Sequence, residues 1–137
     1  MSDPVRGSCV CGAVAYQIEG PYRGFQYCHC SRCRKRSGSA YLANIFVPVD
    51  QFRWVQGEDK VKRFELPTAK YWSTAFCTEC GSAAPWLTKN GKVMVVGAGG
   101  LDEYPGDRPK FSVFYGSRPE WYVHASDLDM HETLPGS

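Results

Sequence analysis

Hydrophobic and polar residues alternate over short stretches along the chain. In AVAYQIEG, Val14, Tyr16 and Ile18 alternate with small or polar residues, and the stretch ends at a turn signal formed by Gly20 and Pro21. A period of two is typical of a β-strand with one buried face. The same reasoning predicts strands in six further stretches: YLANIFVP, KVKRFEL, YWSTAFC, PWLT, KVMVVGA and KFSVF.

Turn signals separate these stretches, and helix signals are scarce. Asn90 and Gly91, between PWLT and KVMVV, predict a type I′ hairpin turn because both residues tolerate a positive φ. VDQFRW predicts one helical turn with Asp50 as its N-cap. No amphipathic pattern lasts long enough for a substantial helix. We therefore predict a mainly β fold of short antiparallel strands.

Length and composition narrow the class of protein. The 137 residues predict a single domain over 1–137, with a polar tail at 125–137 that we expect to fray. A charged fraction of 22% and a net charge of +2 demand neither a nucleic-acid nor a membrane partner. The start, MSDPVRGSCVCG, has no apolar signal region, and the apolar run VMVVGAGGL is too short to span a bilayer. These features predict a cytoplasmic protein.

The cysteines carry the most specific chemistry. The seven fall into three groups spaced C-x-C, C-x-C-x-x-C and C-x-x-C, and an odd number cannot pair completely into disulfides. Thiols stay reduced in the cytosol, where clustered cysteines are more often metal ligands than disulfides. The spacing therefore predicts metal binding, with free buried thiols as the alternative. The cysteines are Cys9, Cys11, Cys28, Cys30, Cys33, Cys77 and Cys80.

Two of the groups together supply four ligands. Cys77 and Cys80, followed by Gly81, have the spacing of a zinc knuckle, and Cys9 and Cys11 offer a second small chelate. Structural zinc takes four ligands in a closed tetrahedron, whereas catalytic zinc typically takes three and keeps one position open. We therefore predict a structural site made by these two pairs.

The triplet Cys28, Cys30 and Cys33 then lacks a fourth cysteine. A histidine would be the alternative fourth ligand, but alternation turns His29 away from its neighbours, and His124 and His131 are distant in sequence. An open position could accept water, a thiol or a carbonyl oxygen. The triplet is therefore predicted to be a catalytic zinc site.

Four cations surround the last cysteine of the triplet in the sequence. A zinc ion with three thiolates carries about −1, which Arg32, Arg34, Lys35 and Arg36 outweigh. Such a group could grip the carboxylates of a small acidic substrate. The alternative is a solvated turn whose charges balance the metal site. The four tryptophans are predicted to belong to the core rather than to a substrate platform: Trp54, Trp72, Trp86 and Trp121.

The order of these motifs resembles the glutathione-dependent formaldehyde-activating enzyme family, which includes the centromere protein V domain. The motifs are GSCVCGAV, CHCSRCRKRSGS, FCTECGS, GAGGLD and RPEWY, and the resemblance covers about residues 5–123. It implies a zinc-stapled β-tent-like fold with two zinc ions per chain. The structural ion would be held by Cys9, Cys11, Cys77 and Cys80, and the catalytic ion by Cys28, Cys30 and Cys33.

The resemblance also implies an activity. In the family's named reaction, glutathione adds to formaldehyde, as in S-(hydroxymethyl)glutathione synthase, a carbon-sulfur lyase. The expected partners are therefore a small thiol and an aldehyde, with Arg34, Lys35 and Ser37 as candidate substrate contacts. One departure is Lys110, in RPKFSVF, where family members often have a histidine. Reaction direction, the physiological thiol and aldehyde, and oligomeric state stay open.

A second class of function competes with the enzyme. Similar zinc-stapled folds serve as non-catalytic modules that bind protein or nucleic acid, and RCRKR could contact phosphates. A pI near 8.2, with Asp and Glu interspersed throughout, disfavours nucleic acid. A triplet that is only structural or redox-sensing is the third possibility. The sequence favours the enzyme.

Overall fold

Short strands account for most of the regular structure. The computed structural model describes residues 3–136, so residues 1, 2 and 137 of the predicted domain lie outside the described residues. Its strands are β1 (Val5–Ser8), β2 (Ala15–Ile18), β3 (Gly24–Cys28), β4 (Leu42–Pro48), β5 (Phe52–Gln56), β6 (Val61–Glu65), β7 (Ser73–Cys77), β8 (Trp86–Leu87), β9 (Val93–Gly97) and β10 (Phe111–Val113). One α-helix, α1 (Ser31–Ser37), follows β3.

The strands form three sheets. Their orders are β1-β2-β5, β10-β3-β4-β9-β8 and β6-β7. Neighbouring strands are antiparallel, apart from β10, which runs parallel to β3 with Phe111 beside Gln26. The predicted mainly β fold of short antiparallel strands is therefore confirmed, with one parallel pair at a sheet edge.

All seven predicted strands are present, and three others were missed. Strands β1 and β3 contain Gly7 and Gly24, which weaken the alternating pattern. In VDQFRW, the predicted helical turn is a 3₁₀ turn over Val49–Gln51, and Phe52 already begins β5. Pro48 is the N-cap of this turn, so the prediction of Asp50 as N-cap is wrong. The chain enters the turn from extended Pro48, which places Asp50 inside it.

The predicted hairpin joins β8 and β9, but its turn differs from the prediction. Leu87 of β8 pairs with Met94 of β9. Gly91 has a φ of 74°, whereas Asn90 does not adopt a positive φ. A type I′ turn needs positive φ at both residues, so that prediction is wrong. The connection is longer than a two-residue turn, so Asn90 does not need a positive φ.

The connection between β8 and β9 has a simple geometry. The Thr88 N–H donates to the Val93 carbonyl at 2.9 Å, and the Gly91 N–H donates to the Thr88 carbonyl at 2.8 Å. Residues 89–92 therefore form a four-residue loop in which only Gly91 needs the left-handed region. The hairpin itself, as predicted, is present.

Three clusters of buried side chains hold the sheets together. Trp54 packs against all three clusters, and Trp86 is a buried member of one of them. Trp72 is half-buried and packs against the cluster that contains Trp86. Trp121 is 68% exposed, so the prediction that it belongs to the core is wrong. It lies in the polar region near the C-terminus, where residues 123–136 are all exposed.

None of the helices in residues 3–136 has the length and apolar character that a membrane span requires.

Candidate functional site

Four cysteines from two distant parts of the chain meet at one place. Cys9 and Cys11 lie in the loop after β1, Cys77 ends β7, and Cys80 lies in the turn that follows. The Sγ atoms of Cys9 and Cys11 are 3.6 Å apart, and those of Cys11 and Cys77 are 3.9 Å apart. All four sulfurs lie within 4.8 Å of one another. We call this group the four-cysteine cluster.

Backbone N–H groups surround the sulfurs of the four-cysteine cluster. The Val14 N–H donates to Cys9 Sγ at 3.3 Å, and the Glu79 N–H donates to Cys77 Sγ at 3.4 Å. Ser82 Oγ lies 3.2 Å from Cys80 Sγ, and this contact contributes most to a pKa of Cys80 lowered to about 5. The loops are therefore folded to stabilise thiolates, the form of cysteine that binds metal.

The second cluster comes from one continuous segment, and we call it the three-cysteine cluster. Cys28 is the last residue of β3, Cys30 is the N-cap of α1, and Cys33 lies in the first turn of the helix. Their sulfurs also lie within 4.8 Å of one another. Because Cys30 accepts a hydrogen bond from the Cys33 N–H at 3.4 Å, the helix start and the cluster form together.

The three sulfurs compete for protons. The hydrogen bond from the Cys33 thiol lowers the pKa of Cys28 to about 6. The same hydrogen bond, with burial and the nearby Cys28 and Cys30 charges, raises the pKa of Cys33. Three thiolates this close repel one another, so a full set of negative charges requires a cation among them. The cluster is therefore suited to a divalent metal.

Zinc fits the donor sets of both clusters. A tetrahedral ion with zinc–sulfur bonds of about 2.3 Å places its sulfurs about 3.8 Å apart. Two sulfur separations in the four-cysteine cluster, 3.6 and 3.9 Å, bracket this value, and the sulfurs of the three-cysteine cluster lie within 4.8 Å of one another. Both predicted groupings of cysteines are thus brought together, and both could hold a metal ion.

A large pocket opens beside the three-cysteine cluster. Its volume is about 910 Å³, and all three cysteines of this cluster line it. None of the four cysteines of the other cluster does. Trp72, Trp86 and Phe46 form an apolar part of the wall. The three-cysteine cluster therefore faces a space that a small molecule could occupy.

The cations that line this pocket match those that the sequence indicated only in part. Arg23, Arg32 and Lys70 line it, whereas Arg34, Lys35 and Ser37 do not. Lys35 lines an adjoining depression of about 460 Å³, which shares Arg32 and Trp72 with the main pocket. Ser37 Oγ donates to the Cys33 carbonyl at 2.9 Å, near the C-terminal end of the helix.

Arg36 fastens the helix to the rest of the fold. Its Nη2 donates to the Ala84 carbonyl at 2.8 Å, and its Nε donates to Thr74 Oγ1. Thr74 belongs to β7, the strand that ends at Cys77. Burial lowers the pKa of Arg36. Arg36 therefore links the segment of the three-cysteine cluster to the strand that supplies the other cluster.

His29 is a core residue. It is 1% exposed, and its ring packs against Tyr41, Tyr115 and Tyr122 with centroid separations of 5.2, 5.3 and 5.4 Å. Its Nδ1 lies 3.1 Å from the Ala40 carbonyl oxygen. Among the described residues, no histidine nitrogen joins the three sulfurs in a metal-binding group. The ring is therefore turned away from the sulfurs, as the alternation of side chains predicts.

The remaining candidate side chains lie elsewhere. His124 Nε2 is 3.1 Å from the Tyr115 hydroxyl, and His131 is exposed. Lys110 donates to Asp107 Oδ1 at 2.6 Å and does not line the pocket. The difference from the family at Lys110 therefore concerns a surface ion pair and not the pocket wall.

Several pocket residues have no signal in the sequence. Arg23 and Lys70 come from separate loops, Trp72 directly precedes β7 and Trp86 begins β8, so only folding brings them together. Asn44 is the exception, because it is a lone amide in the otherwise apolar stretch LANIFV. A buried polar residue inside a strand pattern could have been singled out on that ground.

The fold and the clusters define a small, mainly β protein with two cysteine-based candidate metal sites, one of them facing a pocket. Residues 4–117 match the family described as "Glutathione-dependent formaldehyde-activating enzyme". The chain belongs to this family.

Two individual proteins are similar to this chain. A Halomonas elongata protein named "Putative glutathione-dependent formaldehyde-activating enzyme" is 32% identical over 84 residues, which are 58% of this chain. The match spans 53%, or about half, of that relative's length. A crystal structure of a Rhodobacter sphaeroides protein superposes with a TM-score of 0.60 at 23% identity, covering 77% of this chain and 98% of the other. This likeness shows that the two proteins share a fold.

Proposed function

We propose that this protein is a zinc-dependent carbon-sulfur lyase that joins a small thiol, such as glutathione, to formaldehyde or a related aldehyde. The observation that carries the proposal is the three-cysteine cluster, which lines a 910 Å³ pocket and has no fourth protein ligand among the described residues. Membership of the family supports the substrate class. The product would be a thiol adduct of the S-(hydroxymethyl)glutathione type.

Cys28, Cys30 and Cys33 would hold the catalytic zinc. An ion with three protein ligands supplies an open coordination position, which favours the thiolate form of a bound thiol or polarises an aldehyde oxygen. The reaction itself forms one bond between sulfur and carbon. The electron pair of the carbonyl π bond moves to oxygen, and the thiol proton ends on that oxygen.

The pocket walls would bind and orient the thiol substrate. Arg23, Arg32 and Lys70 supply positive charge, and no acidic residue lines the pocket within the described part of the chain. Carboxylates of a substrate such as glutathione would pair with these cations. Lys35, in the adjoining depression, extends the same positive surface, whereas Arg34 and Ser37 are less well placed. Trp72 and Trp86 would exclude water from the reacting atoms.

The four-cysteine cluster would hold a second, structural zinc. All four protein ligands are present, and none of them lines the large pocket. A closed tetrahedron leaves no position for substrate. We therefore propose two zinc ions per chain with separate roles.

A reducing compartment suits this arrangement. All seven cysteines are free thiols in the structure, and both clusters need thiolates. We propose that the protein acts in the cytoplasm, where thiols stay reduced.

The direct test follows the exchange between free and adduct formaldehyde by NMR, with glutathione present. We expect the protein to accelerate formation of S-(hydroxymethyl)glutathione over the uncatalysed rate. Cys30→Ser should abolish the acceleration, because it removes one of three ligands. Thr78→Ser, a conservative change at an exposed residue outside the pocket, is the matched control.

Equal exchange rates with the protein, with Cys30→Ser and with buffer would reject the proposed reaction. Binding of nucleic acid that weakens with salt, and that disappears when Arg32 and Lys35 are neutralised, would instead favour a non-catalytic module. Replacing Arg23 and Lys70 by glutamine should raise the KM for glutathione more than it lowers kcat, because both cations serve binding.

A further inference from the structure

Asn44 is a buried amide in the wall of the large pocket. It is 5% exposed and lies on β4, opposite Gln26 of β3. It lines the pocket together with Cys33, as does Phe46 on the same face of the strand. The neighbouring Ile45 points to the other face and is fully buried in the apolar core. A buried polar side chain at this position therefore calls for a functional explanation.

The two polar atoms of the amide differ in their surroundings. Asn44 Nδ2 donates to Cys33 Sγ at 3.7 Å. Asn44 Oδ1 is buried and has no hydrogen-bond partner. A thiolate only accepts hydrogen bonds, so the N–H group must face the sulfur. The fold thus keeps an unpartnered acceptor, which is destabilising, in order to direct a donor at Cys33.

The Cys33 sulfur differs from the other two sulfurs in where its hydrogen-bond donor comes from. The Cys33 N–H donates to Cys30 Sγ, and Cys28 receives a hydrogen bond from the backbone of Cys30. These donors form whenever the local segment folds. The donor to Cys33 comes instead from another strand, eleven residues further along the chain. This donor is therefore present only if the residue at position 44 has a suitable side chain.

We propose that Asn44 is a positioning residue that holds the Cys33 thiolate for metal binding and withdraws charge from it. Three thiolates around a divalent ion leave a net charge of about −1, and a hydrogen bond to one sulfur reduces the charge it donates to the metal. A less electron-rich metal binds a fourth ligand in the pocket more tightly. This inference rests on metal binding by the three-cysteine cluster, which is part of the proposed function.

The decisive variant is Asn44→Leu, which is close in size and removes both amide atoms. Zinc affinity at the three-cysteine cluster should fall about 10- to 100-fold, as for other residues that orient metal ligands. The thermal midpoint with excess zinc should stay constant or rise by up to about 5 °C, because the unpartnered Oδ1 also disappears. A merely structural asparagine would show the opposite pattern, with lower stability and unchanged affinity.

Cobalt(II) provides a spectroscopic readout that needs no substrate. In protein loaded with two cobalt ions, Asn44→Leu should shift part of the thiolate-to-cobalt charge-transfer absorption to longer wavelength, because the Cys33 sulfur loses a hydrogen bond. Gln26→Leu is the matched control, since Gln26 lies directly opposite on β3 and lines the same pocket. It should leave the absorption unchanged. Asn44→Asp should weaken metal binding most, since it places a carboxylate beside three thiolates.

The outcomes separate this inference from the proposed reaction. Equal affinity and identical cobalt spectra in the wild type and Asn44→Leu would overturn the role of Asn44, whatever the protein catalyses. Wild-type protein that binds only one metal ion would overturn both proposals. Two ions, a shifted spectrum in Asn44→Leu and no acceleration of the thiol–aldehyde reaction would support the role of Asn44 and reject the proposed reaction.

Discussion

The two cysteine clusters use similar ligands but differ in how the chain supplies them. The four-cysteine cluster joins Cys11 to Cys77, 66 residues apart in sequence, and so connects the loop after β1 with the end of β7. The three-cysteine cluster is contained within six consecutive positions between β3 and α1. A metal in the first crosslinks two sheets, whereas a metal in the second closes only a local turn.

This difference suggests separate roles, with stability depending on the four-cysteine cluster and reactivity on the three-cysteine cluster. Long-range crosslinks remove the most conformational freedom from an unfolded chain, so the four-cysteine cluster should dominate stability. The segment with the three-cysteine cluster has other attachments, because Arg36 and His29 fix its two sides through buried contacts. The three cysteines can therefore face a pocket, because other contacts stabilise this part of the fold.

The largest effect should follow from Cys77→Ser. Cys77 is fully buried, ends β7 and would bind the structural zinc, whose apparent contribution to folding is of order 10 kcal/mol. We expect loss of the cooperative thermal transition and of dispersed amide NMR signals. Thr78→Ser, at the next residue, should behave as wild type. A cooperative transition of Cys77→Ser within a few degrees of wild type would remove the distinction between the clusters.

Cys30→Ser should separate metal content from folding. Serine is a good N-cap, so the start of α1 should survive the loss of the sulfur. We expect one zinc ion per chain, a cooperative thermal transition, and a fall in activity of more than about 100-fold, the upper range for residues that only orient a ligand. Elemental analysis and calorimetry test this. Global unfolding like that of Cys77→Ser would contradict it.

Arg36→Met should destabilise the link between the clusters. The substitution keeps the apolar part of the side chain but leaves the buried Ala84 carbonyl without its donor. We expect the free energy of unfolding to fall by about 2–3 kcal/mol, as for loss of a buried charged hydrogen-bond donor. Denaturant titration measures this fall. Arg34→Met is the control, because the buried Nε of Arg34 has no hydrogen-bond partner. Equal losses in the two variants would refute the role of Arg36.

Local patterns predicted the parts of the molecule that depend on local geometry. Alternation located β2 and β4, and cysteine spacing divided the ligands into the two groups that the structure brings together. Alternation also placed His29 away from the sulfurs. These features follow from residues close in sequence, whose geometry the backbone fixes.

Features that depend on packing between distant segments could not be predicted in the same way. The cations around Cys33 were expected to bind the carboxylates of a substrate, but Arg34 and Lys35 do not line the pocket, whereas Arg32 does. Arg23, just before β3, and Lys70, between β6 and β7, also line it. The buried interactions of Arg36 likewise depend on β7, and nothing in RCRKR distinguishes it from its neighbours.

The smallest effect should come from Ser82→Ala, which extends the comparison to the residues around each cluster. Ser82 Oγ accepts a hydrogen bond from the Val10 N–H at 3.1 Å and lies 3.2 Å from Cys80 Sγ. It therefore serves the four-cysteine cluster as Asn44 serves the other. We expect about 10-fold weaker zinc binding at the four-cysteine cluster in chelator competition. The exposed Ser112 of β10 gives the control Ser112→Ala.

The cobalt spectrum decides whether the two clusters are independent. Because Ser82 Oγ lies beside Cys80 of the four-cysteine cluster, Ser82→Ala should change the charge-transfer absorption of that site and leave the absorption lost in Cys30→Ser intact. Effects at distant sites without shared partners normally add, so the double variant with Asn44→Leu should show the sum of both spectral changes. A departure from the sum would mean that the Arg36 link transmits strain between the clusters, and that access and stability are not separate properties of this fold.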